Sequence, residues 1–181
     1  MDDFRRALAR SHSIASRLAA GPGATVLSLG CGSGFELLIL GKAVGSKGRV
    51  IGLDADEVAV RHARGRATAA GLGHVSVLVG DVHNPPISLD RVDTIYCGFL
   101  LHLVDWKPEL LTQLARLNES RESRQLVTLD WEQRGREYPS DVMVAAGWEL
   151  RDEARVGIEH PKSEAIGIRL FVSGTRLVRS A

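Results

Sequence analysis

Cysteine is scarce. Cys31 and Cys97 are the only two in 181 residues, too few for a disulfide framework and compatible with a reducing cytosol. Net charge is equally lacking: 23 Lys and Arg against 22 Asp and Glu leave +1, so no strong field draws the chain to nucleic acid or to an anionic membrane. No apolar run approaches the roughly 20 residues that a membrane-spanning helix needs, and the N-terminus lacks the apolar core of a signal peptide. These absences together imply a cytoplasmic protein. Internal repeats and low-complexity segments are absent too. What the chain does have is 44% apolar residues, enough to bury a substantial core in a single domain over residues 1–181.

The stretch Val26-Leu27-Ser28-Leu29-Gly30-Cys31-Gly32-Ser33-Gly34-Phe35 is an apolar run that breaks into alternating glycines and then becomes a helix. It reads as strand, tight turn and helix start, a ligand-binding candidate because a main chain without Cβ atoms admits close approach. The helix N-terminus behind it favours an anionic or acceptor group. The spacing is G-x-G-x-G, and Phe35 stands where a dinucleotide fingerprint places its third glycine. Val50-Ile51-Gly52-Leu53-Asp54 reads as a second strand ending in an acid, about 20 residues beyond the loop, where a ribose-binding carboxylate belongs.

Taken in order, the chain predicts an N-terminal helical segment within residues 1–23, with its helix over Phe4 to Ala20, and a core over 24–175. After the loop come a helix over Phe35 to Val44, a strand over Arg49 to Leu53, a helix over Asp56 to Ala70 with Asp56 as N-cap, and a strand over His74 to Val79. A fourth strand spans Val92 to Gly98, a helix Pro108 to Leu117, and a fifth strand Gln125 to Asp130. Pro139 to Ala146 suits a short helix, and two last strands fit Glu149 to Gly157 and Ala165 to Ser173. Strands alternating with helices imply an α/β three-layer sandwich with a mostly parallel seven-stranded sheet. Only a short loop joins the last pair, so that pair includes one antiparallel strand.

The glycine loop with Asp54 resembles the class I S-adenosylmethionine-dependent methyltransferases, whose fold has this same sheet and whose ligand lies at the carboxyl ends of the strands. Asp93 to Gly98 followed by Leu100-Leu101-His102 is similar to the strand-four segment of the ubiquinone-biosynthesis-type and other small-molecule methyltransferases. The resemblance implies S-adenosylmethionine as cofactor. It places the methionine part on Ser28, Gly30, Cys31, Gly32 and Gly34 and the ribose hydroxyls on Asp54, beside Ala55. The adenine then meets Asp81 and Val82, and the sulfonium lies beside Cys97 and Gly98. Each residue also has a plainer role: a helix-cap acid at Asp54, a turn-forming acid at Asp81, a buried filler at Cys97. The catalytic residue is unknown, with Tyr96, His102 and Asp130 as candidates, and Trp131, Glu132 and Tyr138 are candidates for the substrate pocket.

Ser28 departs from the family pattern, which usually has an acid two positions before the first glycine of the loop. A carboxylate there would meet the cofactor's amino group, so Ser28→Asp is expected to tighten binding unless the new acid is buried without a partner. The implied activity is methyl transfer to an unidentified, small-molecule acceptor. The alternative is a weak or inactive module of the same fold, or a partner subunit. No metal is implied. With little chain to build a lid, a homo-oligomer is a possible partner arrangement.

Overall fold

The computed structural model describes residues 19–89, 91–101, 125–133, 148–157 and 165–175, together with Arg10, Ser13, Ser16, Arg17 and Leu103; from Trp131 onward it is described by its backbone alone. The first strand, β1 (Thr25–Leu29), is buried along almost its whole length because the sheet has cover on both faces there. Near-continuous apolar runs are what such central parallel strands require. Beside it lie β2 (Arg49–Asp54), β3 (Val75–Val79), β4 (Thr94–Gly98) and β5 (Gln125–Gln133), hydrogen-bonded in the order β3-β2-β1-β4-β5 and all parallel. The expected α/β class with a parallel sheet is what the structure has. Two later segments, β6 (Trp148–Gly157) and β7 (Ala165–Thr175), are also strands.

Alternation along the strands sends side chains to two cores. On one face Val26, Val50, Tyr96 and Val127 pack with Leu37, Leu40 and Val44 of helix α1 (Phe35–Val44) and with Val60 and Ala63 of helix α2 (Glu57–Ala69). On the other face Leu27, Leu29, Ile51, Leu53, Ile95 and Leu126 meet Val82, Leu89, Val92 and Leu101. Each such side chain contributes about 1.5 to 3 kcal/mol by leaving water. The helices expected over Pro108 to Leu117 and Pro139 to Ala146 lie outside the described residues. So does most of the Phe4 to Ala20 helix, of which Arg10, Ser13, Ser16, Arg17 and Ala19 are described and helical.

Several element ends differ from expectation for local reasons. β4 begins at Thr94 and not at Val92, because the Val92 N–H closes a turn onto the Leu89 carbonyl at 3.0 Å and the Asp93 carboxylate accepts the Thr25 N–H at 2.8 Å. β2 runs on to Asp54, whose Cα pairs with Val79. Asp56 caps α2 as its residue type predicts, its carboxylate accepting the Val58 N–H at 2.7 Å. Removing that cap in Asp56→Ala should lower stability by about 1 kcal/mol, read from urea denaturation. A midpoint unmoved by the substitution would show that α2 is started by something other than its cap.

Candidate functional site

The glycine loop is fixed to β2 by two bonds. The Cys31 N–H donates to the Leu53 carbonyl at 3.0 Å, and the Gly32 N–H donates to Asp54 Oδ2 at 2.7 Å. Asp54 Oδ1 accepts the Asp56 N–H at 2.9 Å, so one carboxylate at the end of β2 ties the loop to the start of the next helix. Gly32 has φ +50°, and a Cβ built there would touch nothing within 4 Å: the turn needs a residue without a side chain and leaves open space above it. Asp54 borders that space and is half-buried. The Gly32 N–H is thus used within the loop itself.

Behind the loop, Cys31 is 1% exposed and its thiol is pushed up to about 12, by burial first and then by the charges of Glu36 and Asp54. It is a packed thiol and no nucleophile. Cys97, on the opposite face of the sheet, is buried as well and pushed up to about 12 by burial and by Asp130. Tyr96 is fully buried under α1. Burial, then the Glu36 charge, raises its hydroxyl far above the ordinary range, so it stands as a neutral group. Gly98 lies against the Tyr96 ring, and Asp130, within β5, which runs three residues past the end expected at Asp130, is 1% exposed. Ser28 is paired in register with Gly52 and Tyr96 and is fully buried.

Asp81 follows β3 at the surface. Its Oδ1 accepts the His83 N–H and faces His83 Nδ1, both at 2.9 Å, and these bonds hold its carboxyl below the usual range. The turn-forming role is thus visible at Oδ1. Val82 is buried in the core on the far face and Ala55 is exposed. Arg61, Arg64 and Arg66 lie on the exposed side of α2, with Arg64 Nε donating to the Val77 carbonyl of the edge strand at 2.9 Å. His102 and Tyr138 lie outside the described residues. Among the described residues no group of three His, Cys, Asp or Glu is placed to hold a metal ion.

Sequence reading missed Glu36. It is an acid in the first turn of α1, yet it is 7% exposed. The signal was available: Glu36, Leu37, Leu40, Gly41 and Val44 form the buried side of α1, at the spacing of one helical face. Burial pushes its carboxyl up to about 7, the Asp54 charge adds to the rise, and its own backbone N–H and the nearby Ser28 hydroxyl pull it back.

Because that folded value lies above the unfolded one, the folded chain holds an extra proton between pH 4.5 and about 7. Stability from this group is therefore full below pH 4.5 and falls as pH rises through 7, by something on the order of 3 kcal/mol. Glu36→Gln should remove this slope and raise the melting temperature at pH 8 relative to the parent. Thermal melts of both proteins from pH 5 to 8 check it, and parallel curves would show that Glu36 does not titrate in this range.

A family model described as a methyltransferase domain matches residues 20–140. The chain belongs to the methyltransferase-domain family. The match spans the loop, α1, α2 and the strands β1 to β5. The methyltransferase-domain chain is 40% identical over 101 residues to the 2-phytyl-1,4-naphtoquinone methyltransferase of Synechococcus elongatus, covering 55% of this chain and 43% of that protein. It is 34% identical over 96 residues to the nocamycin O-methyltransferase of Saccharothrix syringae, covering 53% and 34%. The chain thus spans about a third to two fifths of the length of such curated relatives. A crystal structure of a SAM-dependent methyltransferase from Aquifex aeolicus superposes with a TM-score of 0.74 at 25% identity, covering 92% of this chain and 89% of that one.

Proposed function

We propose that this chain binds S-adenosylmethionine at the carboxyl ends of β1, β2 and β3 and directs methyl transfer to a small-molecule acceptor. The observation that carries this reading is the bond from the Gly32 N–H to Asp54 Oδ2, which holds an acid against an open glycine surface. A carboxylate has roughly four acceptor sites. Gly32 and Asp56 use two of them, which leaves capacity for the two ribose hydroxyls. The cofactor, when bound, supplies a methyl group already activated on sulfur.

The chain's own part is to hold and align. Gly30, Gly32 and Gly34 keep the loop clear, Asp54 fixes the ribose, Asp81 and Val82 border the adenine, and Cys97 and Gly98 close the far side of the site. A general base is unnecessary for an acceptor that loses its proton easily, so no catalytic role is assigned among Tyr96, His102 and Asp130. Small-molecule acceptors are supported by the names of the relatives, a naphthoquinone methyltransferase and a nocamycin O-methyltransferase.

The reading includes the complete class I sheet in one domain, residues 1–181. Its support is the pairing of Leu126 with Ser173, which sets β7 antiparallel against β5, and of Ala154 with Leu170, which sets β6 antiparallel beyond it. A cytoplasmic setting is supported by two free, buried thiols, and among the described residues no helix is long and apolar enough to cross a membrane. A second copy of the chain is the proposed cover for an open acceptor cleft.

Calorimetric titration with S-adenosylmethionine, S-adenosylhomocysteine and NAD tests the reading. Binding of the first two and none of the third is expected. Heat from NAD alone would overturn it.

A further inference from the structure

Glu36 has no place in the roles assigned so far, yet it is the charged group most deeply set behind the loop. It faces the Ser28 hydroxyl on β1, the Cys31 thiol in the loop, Asp54 at the end of β2 and Tyr96 on β4. All of these are neutral or negative. Among the described residues no Lys or Arg forms an ion pair with it. Burying a carboxylate without a cation is costly, and structural acids at such depth normally carry one. Next to it, the Ser28 hydroxyl is fully buried; it lies near enough to Glu36 to lower its carboxyl, and it completes no other hydrogen bond among the described residues. In the same loop as Cys31, and against Asp54, the surface over Gly32 is open. Among the described residues, a buried acid and a buried hydroxyl thus lie behind an open loop with no cation paired to the acid.

We propose that Glu36 is the carboxylate that receives the cationic amino group of the bound cofactor, with the Ser28 hydroxyl as a second acceptor. The acid absent from β1 is thereby supplied from the first turn of α1. This rests on the S-adenosylmethionine reading given above. An ammonium offers three donors, which suits a carboxylate and a hydroxyl held side by side. Glu36 then has two states. Empty, it holds a proton up to about pH 7; a cation beside it favours the ionised form, so ligand binding below pH 7 releases that proton and affinity rises as pH climbs through 7.

The neighbours that set this balance are Asp54, Cys31 and Tyr96. Burial keeps the last two protonated through this range, so their charge does not change.

The experiment titrates the full chain with S-adenosylhomocysteine, which carries the amino group, and with adenosine, which does not. Glu36→Gln is expected to weaken S-adenosylhomocysteine at least tenfold at pH 8 and to leave adenosine within twofold. At pH 6.5, titration in two buffers of different ionisation heat should show a proton released by the parent and none by Glu36→Gln. Moving the acid back to β1, in Ser28→Asp with Glu36→Gln, should recover most of the lost affinity. Ser28→Asp with Glu36 in place should bind no better than the parent, since two carboxylates then share one buried site.

Equal loss for both ligands would make Glu36 a structural residue and overturn the proposal, as would unchanged affinity in Glu36→Gln or tighter binding by Ser28→Asp alone. Failure of the parent to bind S-adenosylhomocysteine and S-adenosylmethionine while adenosine still binds overturns the amino-group proposal and the cofactor reading together. Normal binding with an inert Glu36 overturns only the proposal. Thermal melts of each variant separate weak binding from loss of fold.

Discussion

Replacing Asp54 with alanine is expected to weaken S-adenosylmethionine binding about a hundredfold, close to 2.7 kcal/mol. Hydrogen bonds to a charged group are worth roughly 1.5 to 3 kcal/mol each, and the ribose diol would lose two. The structure adds a second reason. Asp54 also accepts the Gly32 and Asp56 N–H groups, so its removal frees the loop as well as the ligand contact. Asp54→Asn keeps one acceptor oxygen and should fall between the two, though its amide must turn one N–H toward a donor. Calorimetry on both variants decides: affinity within threefold of the parent in Asp54→Ala would sink the assignment of the ribose to β2.

How much of this was legible in the sequence depends on where the information lies. α1 is found at Phe35–Val44, the range its pattern predicts, since a glycine at each end brackets an amphipathic run. The β1 loop and Asp54 were equally plain, because glycine spacing and an acid closing an apolar run are local signals. Tertiary pairing was not. The start of β4 was misjudged because Asp93 is spent on the Thr25 N–H, a contact across 68 residues that no local pattern records.

The sharpest difference concerns Ser28. Against the family pattern it looks like a deficit at the cofactor, to be mended by an aspartate. In the fold it is fully buried beside a carboxyl on a different element, and on the proposal above that neighbour removes the gain expected of Ser28→Asp. Helical periodicity carries the signal that Glu36 shares the buried side of α1, although an acid there was not read as buried. What periodicity lacks is any statement of which strand that side would meet.

Gly34→Ala is expected to cost about 3 to 4 kcal/mol of stability. Gly34 sits at the N-cap of α1 with φ +81° and ψ +26°, a left-handed conformation that costs an L-residue roughly 1 to 2 kcal/mol. The added Cβ would also lie 2.7 Å from Ala63 Cβ and 2.9 Å from Ala63 Cα. The second of these is main chain of α2, so no rotamer can relieve it, and overpacking of this kind costs roughly 1 to 3 kcal/mol. Gly71 separates the two terms. It ends α2 as the left-handed residue of a Schellman turn, with φ +68°, the Gly71 N–H on the Thr68 carbonyl and the Leu72 N–H on the Ala67 carbonyl, and a Cβ there meets nothing within 4 Å, so Gly71→Ala should cost the strain alone. The excess of Gly34→Ala over Gly71→Ala in urea denaturation then measures how closely the loop is pressed on α2. Ala63→Gly in the Gly34→Ala background should return part of that excess despite the roughly 1 kcal/mol that glycine costs inside a helix. Equal losses in Gly34→Ala and Gly71→Ala would mean that α2 yields freely to the loop. In that case the glycine at position 34 is there for its backbone conformation alone and not for the close approach of the two helices behind the site.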